Sequence, residues 1–126
     1  MDSDTEVVRG AYAAFARGDI ATILDALDEN VEWSTPATLP QGGTFSGKAG
    51  VVKFFESVGA AWESLRVEPE AVGDVGSHLV IGVIQGSGLL RGAGPASYGA
   101  VHVFTLSNGK ITRFREYTDL DRALLP

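Results

Sequence analysis

The chain of 126 residues contains no cysteine, so a disulfide framework, a thiolate nucleophile and a cysteine-based zinc site are all excluded. It has only two histidines, His78 and His102, far apart and without an H-x-x-x-H or carboxylate cluster, which leaves no metal motif. Basic residues are scarce. Ten Lys and Arg stand against 16 Asp and Glu, giving a net charge of −6 with no basic cluster. A nucleic-acid partner needs a Lys/Arg footprint to displace counterions, and this chain has none. No apolar run approaches the 18 or more residues of a membrane span, and the start MDSDTEVVRG is too acidic and polar for a secretory signal. These absences point to a cytoplasmic protein without a membrane or nucleic-acid partner.

Glycine is abundant instead. The chain has 16, eight of them between Gly73 and Gly99, with no period of three that would indicate collagen. With 44% hydrophobic and 21% charged residues the composition is globular, and the length fits one domain over residues 1–126.

In Thr5–Arg17 the residues Val7, Val8, Ala11, Tyr12 and Phe15 recur at helical spacing. Ser3 or Asp4 is positioned to cap this helix, and Gly18 to end it. Asp19 can cap a second helix through Ile20, Ile23, Leu24 and Leu27. A short strand, Val31–Thr35, stops at Pro36, and the Pro/Gly-rich stretch Ala37–Ser46 reads as a loop. Helical spacing returns over Lys48–Trp62, with Val51, Phe54, Phe55 and Val58 on one side. Four strands follow: Leu65–Val75, Leu79–Leu90, Tyr98–Leu106 and Ile111–Tyr117, the last two joined by the turn Ser107-Asn108-Gly109-Lys110. Asp119 is placed to cap a last helical turn over Leu120–Leu125. The order α-α-β-α-β-β-β-β predicts an α+β fold rather than a Rossmann-type alternation.

The phrases AYAAFARGDIATILDALDENVEW, FSGKAGVVKFFE and HVFTLSNGKITRFREYTD, spread over nearly the whole chain, resemble the SnoaL-like and ketosteroid-isomerase-like proteins of the NTF2-like superfamily. The resemblance implies a cone: a curved mixed or antiparallel sheet wrapped around the N-terminal helices, with a hydrophobic pocket at its open end. It also implies homodimers packed sheet against sheet, and it calls for no cofactor. The glycines within the long strands fit a strongly curled sheet and leave space at a pocket wall. Relatives include isomerases, polyketide cyclases, epoxide hydrolases and non-catalytic binders, so the resemblance specifies fold more than activity.

Carried over residue by residue, the isomerase machinery is incomplete. Its base carboxylate falls on Thr35, before Pro36; its tyrosine lies about one residue away from Tyr12; its protonated acid falls on Val101, beside His102. The final strand matches better. Epoxide hydrolases and cyclases of this group place a catalytic carboxylate where this chain has Phe114-Arg115-Glu116-Tyr117-Thr118-Asp119, which maps the acid onto Glu116. Strand alternation puts Phe114 and Glu116 on one face and Arg113, Arg115 and Tyr117 on the other. A carboxyl in an apolar pocket suits a general acid or base. Glu116 outside the pocket would instead pair with Arg113 or Arg115. The hydrolases' arginine and second aspartate fall near Val83-Ile84-Gln85, where Gln85 can hydrogen-bond but not titrate.

The expected site is therefore Glu116 as acid/base, with Tyr12, Gln85 and Thr35 as hydrogen-bonding groups. Phe15, Trp33, Phe54, Val58, Trp62, Val101, Val103 and Phe114 are core residues that line the pocket if the fold leaves one open. His102 shares its parity with Tyr98 and Phe104, and family analogy puts that face outward, toward a dimer partner. His78 borders a turn and reads as exposed. The functional expectation is cofactor-independent proton transfer (isomerisation, cyclisation or hydrolysis) on an apolar polycyclic or terpenoid molecule. The alternative is a non-catalytic binding or dimerisation module of the same fold.

Overall fold

A computed structural model describes residues 3–118. Two helices open the chain, α1 (Asp4–Ala16) and α2 (Ile20–Asp25), each started by a side-chain cap. Ser3 Oγ accepts from the Glu6 backbone N–H, and the Asp19 carboxylate accepts from that of Thr22. Next come β1 (Leu27–Thr35), β2 (Gly43–Ser46), α3 (Gly47–Ala61), β3 (Trp62–Gly76), β4 (Leu79–Leu90), β5 (Gly94–Ser107) and β6 (Lys110–Thr118). The expected helical turn at Leu120–Leu125 and its cap Asp119 lie outside the described residues. No helix among the described residues is long and apolar enough to cross a membrane.

The order thus contains a strand the sequence reading missed. Residues 43–46, read as loop, pair antiparallel with β1 from Glu32↔Ser46 to Thr35↔Gly43. A four-residue strand beside Pro40 and two glycines has too little alternation to be seen in sequence.

The expected cone is not formed. The sheet runs in one line, β2-β1-β6-β5-β4-β3, and among the described residues its edges β2 and β3 do not pair with each other. It is an open, mixed sheet: every neighbouring pair is antiparallel except β1–β6, which is parallel. Helix α3 packs against both edge strands as well as β1, and α1 packs against β3 and β4. With helices filling the space beside the edges, the edges have no room to meet. The edge strand β3 tolerates Pro69, whose missing N–H would break an interior ladder, and its exposed charges Glu63, Arg66, Glu68 and Glu70 discourage further pairing.

The glycines also have a different use from the curl expected of them. A Cβ at Gly82 would collide with the Tyr12 hydroxyl, one at Gly86 with the Tyr98 ring, and one at Gly88 with the Ser64 carbonyl of β3. The space is already occupied, in two cases by tyrosines reaching over β4.

Helices cover one face of the sheet, and between them lies the core: Val8 and Val51 from the helices with Leu27, Val31, Trp33, Val80, Phe104, Leu106, Ile111 and Phe114 from the strands. Burying such side chains contributes on the order of 1.5–3 kcal/mol each before entropy is counted. On the opposite face Ile81, Val101 and Val103 are half-buried and Val83 and Tyr117 exposed.

Candidate functional site

The inner face of β5 carries Tyr98, Ala100, His102, Phe104 and Leu106, and that of β6 carries Ile111, Phe114, Glu116 and Thr118. The register His102↔Glu116 sets these two side by side on neighbouring strands. Helix α1 lays Tyr12 across them from above. The result is a hydrogen-bonded chain: Tyr12 Oη lies 2.7 Å from His102 Nδ1, and His102 Nε2 lies 2.8 Å from Glu116 Oε2. His102 and Glu116 are both buried, their side chains 8% and 5% exposed.

The chemistry of the groups fixes the direction of these bonds. A carboxylate only accepts, so Nε2 of His102 carries the hydrogen it donates to Glu116. When the ring is neutral, Nδ1 is then an acceptor for the Tyr12 hydroxyl. The Tyr12 ring lies stacked with that of His102 at 5.8 Å, and Phe114 meets the imidazole edge-on at 4.8 Å.

A second chain converges on the same region. Thr35 Oγ1 donates to the Gln41 carbonyl at 3.1 Å, holding the loop before β2 against β1. Gln41, 2% exposed, accepts from Trp62 Nε1 through its own Oε1 at 3.0 Å. Its amide hydrogens are left to donate, and the Tyr98 hydroxyl lies near enough for Gln41 to favour its ionised form. The Tyr98 hydrogen remains available to an acceptor. Burial, reinforced by the neighbouring Glu116 carboxylate, pushes both the Tyr12 and Tyr98 phenols well above their ordinary range, and Gln41 offsets part of the rise at Tyr98. Both therefore stay neutral hydroxyls at physiological pH.

These groups line a cavity of about 80 Å³, walled mainly by aromatic and aliphatic side chains. That volume holds about two or three waters, well below the ~300–1,000 Å³ of pockets for larger ligands. A polycyclic molecule does not fit it as it stands. Tyr12, Phe15, Leu65 and Val67 also border an open depression of about 590 Å³ between α1 and β3, so a longer molecule would extend there.

Of the residues expected from sequence, Tyr12, Phe15, Trp33, Phe54, Val58, Phe114 and Glu116 line the cavity. Glu116 faces inward, away from Arg113 and Arg115. Thr35 and Trp62 are buried just behind the wall and act on it through Gln41. Gln85, Val101 and Val103 do not reach it. In β4 the even-numbered residues from Val80 to Gly86 face the core, which turns Gln85 outward into solvent. In β5 the pairing Phe104↔Phe114 directs Phe104 and His102 inward and Val101 and Val103 to the opposite face. For the same reason His102 is not on the outer face where family analogy put it. His78 pairs with Asp4 of α1 at 3.1 Å.

Sequence reasoning missed Gln41 and Tyr98 as site residues. Gln41 sits between Pro40 and two glycines with no pattern to mark it. Tyr98 shared the parity of His102, and the signal for both was Phe104, the large apolar residue on their side.

A family model described as a SnoaL-like domain matches residues 8–114. An uncharacterised protein of Mycobacterium tuberculosis is 32% identical over 117 residues, covering 92% of this chain and 88% of that protein. An NTF2-like protein of Burkholderia thailandensis, known by crystal structure, superposes with a TM-score of 0.87 at 30% identity, covering 100% of both chains. The crystal structure of TerC co-crystallised with polyporic acid superposes with a TM-score of 0.82 at 28% identity, covering 96% of this chain and 95% of that one. The family model runs from α1 into β6, taking in Tyr12 and His102 and ending two residues before Glu116, and the chain belongs to the SnoaL-like family of the NTF2-like superfamily.

Proposed function

We propose that this protein is a cofactor-independent acid/base enzyme of the isomerase, cyclase or hydrolase type, with Glu116 as the proton-transferring group. The observation that carries the reading is the buried chain Tyr12–His102–Glu116 opening on an apolar cavity. Glu116 is buried at the apolar cavity with one carboxylate oxygen held by His102, a placement that suits a positioned proton acceptor for a carbon or oxygen acid bound there. His102 is a positioning residue: it orients Glu116, and Tyr12 fixes its tautomer. The neutral hydroxyl of Tyr98 supplies a donor for negative charge developing on the substrate. That TerC was crystallised with polyporic acid supports occupancy of the related fold by a small organic molecule.

The test is hydrogen–deuterium exchange at the α-carbon of small ketones in D₂O. The native protein accelerates exchange, and Glu116→Gln, which keeps shape and hydrogen bonding, lowers the rate by about 10²–10⁴-fold. Equal exchange in both proteins removes Glu116 from the role.

A second reading, a binding module without turnover, is favoured by one observation: Gln85 points into solvent, so the hydrolase-like partner of Glu116 is missing from the cavity. It predicts thermal stabilisation by ligand with no exchange. In either case we place two copies together through the outer sheet face, where Val83, Val101, Val103 and Tyr117 form an apolar stripe beside Arg113 and Arg115. The net charge of −6 disfavours a nucleic-acid partner, and a cysteine-free chain suits the reducing cytoplasm.

A further inference from the structure

Among the described residues, Glu116 is the acidic side chain on the cavity wall, and no Lys or Arg lines that wall to balance it. Its side chain is 5% exposed, so water gives the charge little relief. With the His102 ring neutral, the carboxylate has a hydrogen-bond donor but no counter-charge. The charge is felt across the cavity: it adds to the rise of the Tyr12 and Tyr98 phenols, which line the same wall.

The two carboxylate oxygens differ. Oε2 accepts from His102 Nε2 at 2.8 Å. Oε1 has no hydrogen-bond partner among the described residues, yet it is not sealed in, because the side-chain polar atom there that is both unpartnered and closed to water is Trp33 Nε1. Oε1 therefore keeps accessible surface, and Glu116 faces inward at the cavity it lines.

Ligands of different charge meet this wall differently. An anion would face the carboxylate with no cation beside it. A metal ion needs several ligating side chains together, and no such group of His, Asp and Glu occurs among the described residues. A protonated amine brings a positive charge and an N–H to the free oxygen, and charge-assisted hydrogen bonds are about twice as strong as neutral ones. Alkyl groups on the nitrogen suit the rest of the wall, where Phe54, Phe55, Phe104 and Phe114 offer aromatic carbon rather than water. A cavity of about 80 Å³, with room for about two or three waters, admits about three or four non-hydrogen atoms.

We infer that the cavity is a binding site for a small alkylammonium ion, its N–H held by Oε1 of Glu116 and its carbons against the aromatic wall. The inference shares with the preceding reading only the cavity as the small-molecule site, and it holds whether or not Glu116 transfers a proton.

The test uses three molecules of similar size and different charge: dimethylammonium chloride, acetone and acetate. Affinities come from titrations near neutral pH followed in ¹⁵N–¹H spectra, where Trp33→Phe identifies the indole signal of the cavity wall. Dimethylammonium should bind about tenfold tighter than acetone and shift the Trp33 indole signal. Its affinity should change by no more than about twofold in about 0.3 M NaCl, since a buried pair is screened little. Acetate should not bind. In Glu116→Gln the ammonium should lose about tenfold in affinity while acetone changes little. If that variant fails to fold, the order of the three ligands on the native protein decides alone. Equal or tighter binding of acetone or acetate, no binding of the ammonium, or equal ammonium affinity in Glu116→Gln overturns the inference. So do ammonium shifts that spare the Trp33 indole and vanish with salt, which would mark binding to the acidic surface. Ammonium binding without ketone exchange defeats the acid/base reading alone, and exchange without ammonium binding defeats this inference alone.

Discussion

Tyr12 reaches His102 only because residue 82 has no side chain: its hydroxyl occupies the volume a Cβ at Gly82 would need. Gly82→Ala should push Tyr12 away and leave His102 Nδ1 without its partner, lowering stability by about 1–2 kcal/mol. Gly88→Ala meets a different obstacle. Its Cβ would strike the Ser64 carbonyl, part of the paired β3 backbone, which cannot swing aside. That variant should lose about 3 kcal/mol. Urea denaturation checks both, and a larger loss in Gly82→Ala would contradict the assignment.

The two buried tyrosines predict a loss of stability in alkali. Their folded pKa values are raised, so above pH ~10, where an unfolded tyrosine ionises, the unfolded chain releases protons that the folded one retains. Stability contributed by keeping them neutral is complete below that pH and falls as pH rises beyond it. Tyr12→Phe and Tyr98→Phe should each flatten the decline, measured as unfolding free energy between pH 9 and 11. An unchanged slope in both would show that neither phenol is shielded.

Gln41 accepts from Trp62 Nε1, so Gln41→Leu should strand the Trp62 N–H. The expected loss is about 1–3 kcal/mol, and Trp62→Phe in the same background should cost less than in the native chain. Strictly additive losses in a double-mutant cycle would mean the two side chains act independently.

Val83→Glu places a charge in the outer apolar stripe without touching the cavity. If two copies pair through that face, sedimentation should show a dimer in the native protein and a monomer in the variant. A native monomer, or a variant that stays dimeric, removes the outer face as the interface.

The elements were legible where periodicity is long. Both flanking helices of the cavity and all four C-terminal strands have patterns that survive uncertainty of one or two residues. Glu116 was legible as inward because Phe114 marks the inner face two residues earlier. His102 was not, because β5 is apolar on both faces: Val101 and Val103 on one, Phe104 and Leu106 on the other. Only its partner strand breaks that tie, and pairing is not written in a single strand. Openness of the sheet was equally hidden, since local sequence does not say whether the outermost strands meet. The glycines of β4 were visible as an excess, but the tyrosines that fill their places come from α1 and β5.

Among the described residues one pair of strands, β1 with β6, is parallel, and this bears on the order of assembly. It aligns Trp33 with Phe114, about eighty residues apart in the chain, whereas β3 through β6 pair with sequence neighbours. Closing so long a loop carries an entropic penalty on the order of 4 kcal/mol, so the local meander gains its contacts first and β1 docks late. The wall bearing Trp33 therefore joins the wall bearing Glu116 near the end of folding. Until then the aromatic inner face of β5 and β6 stands open to water, the stage at which this chain is most exposed to aggregation.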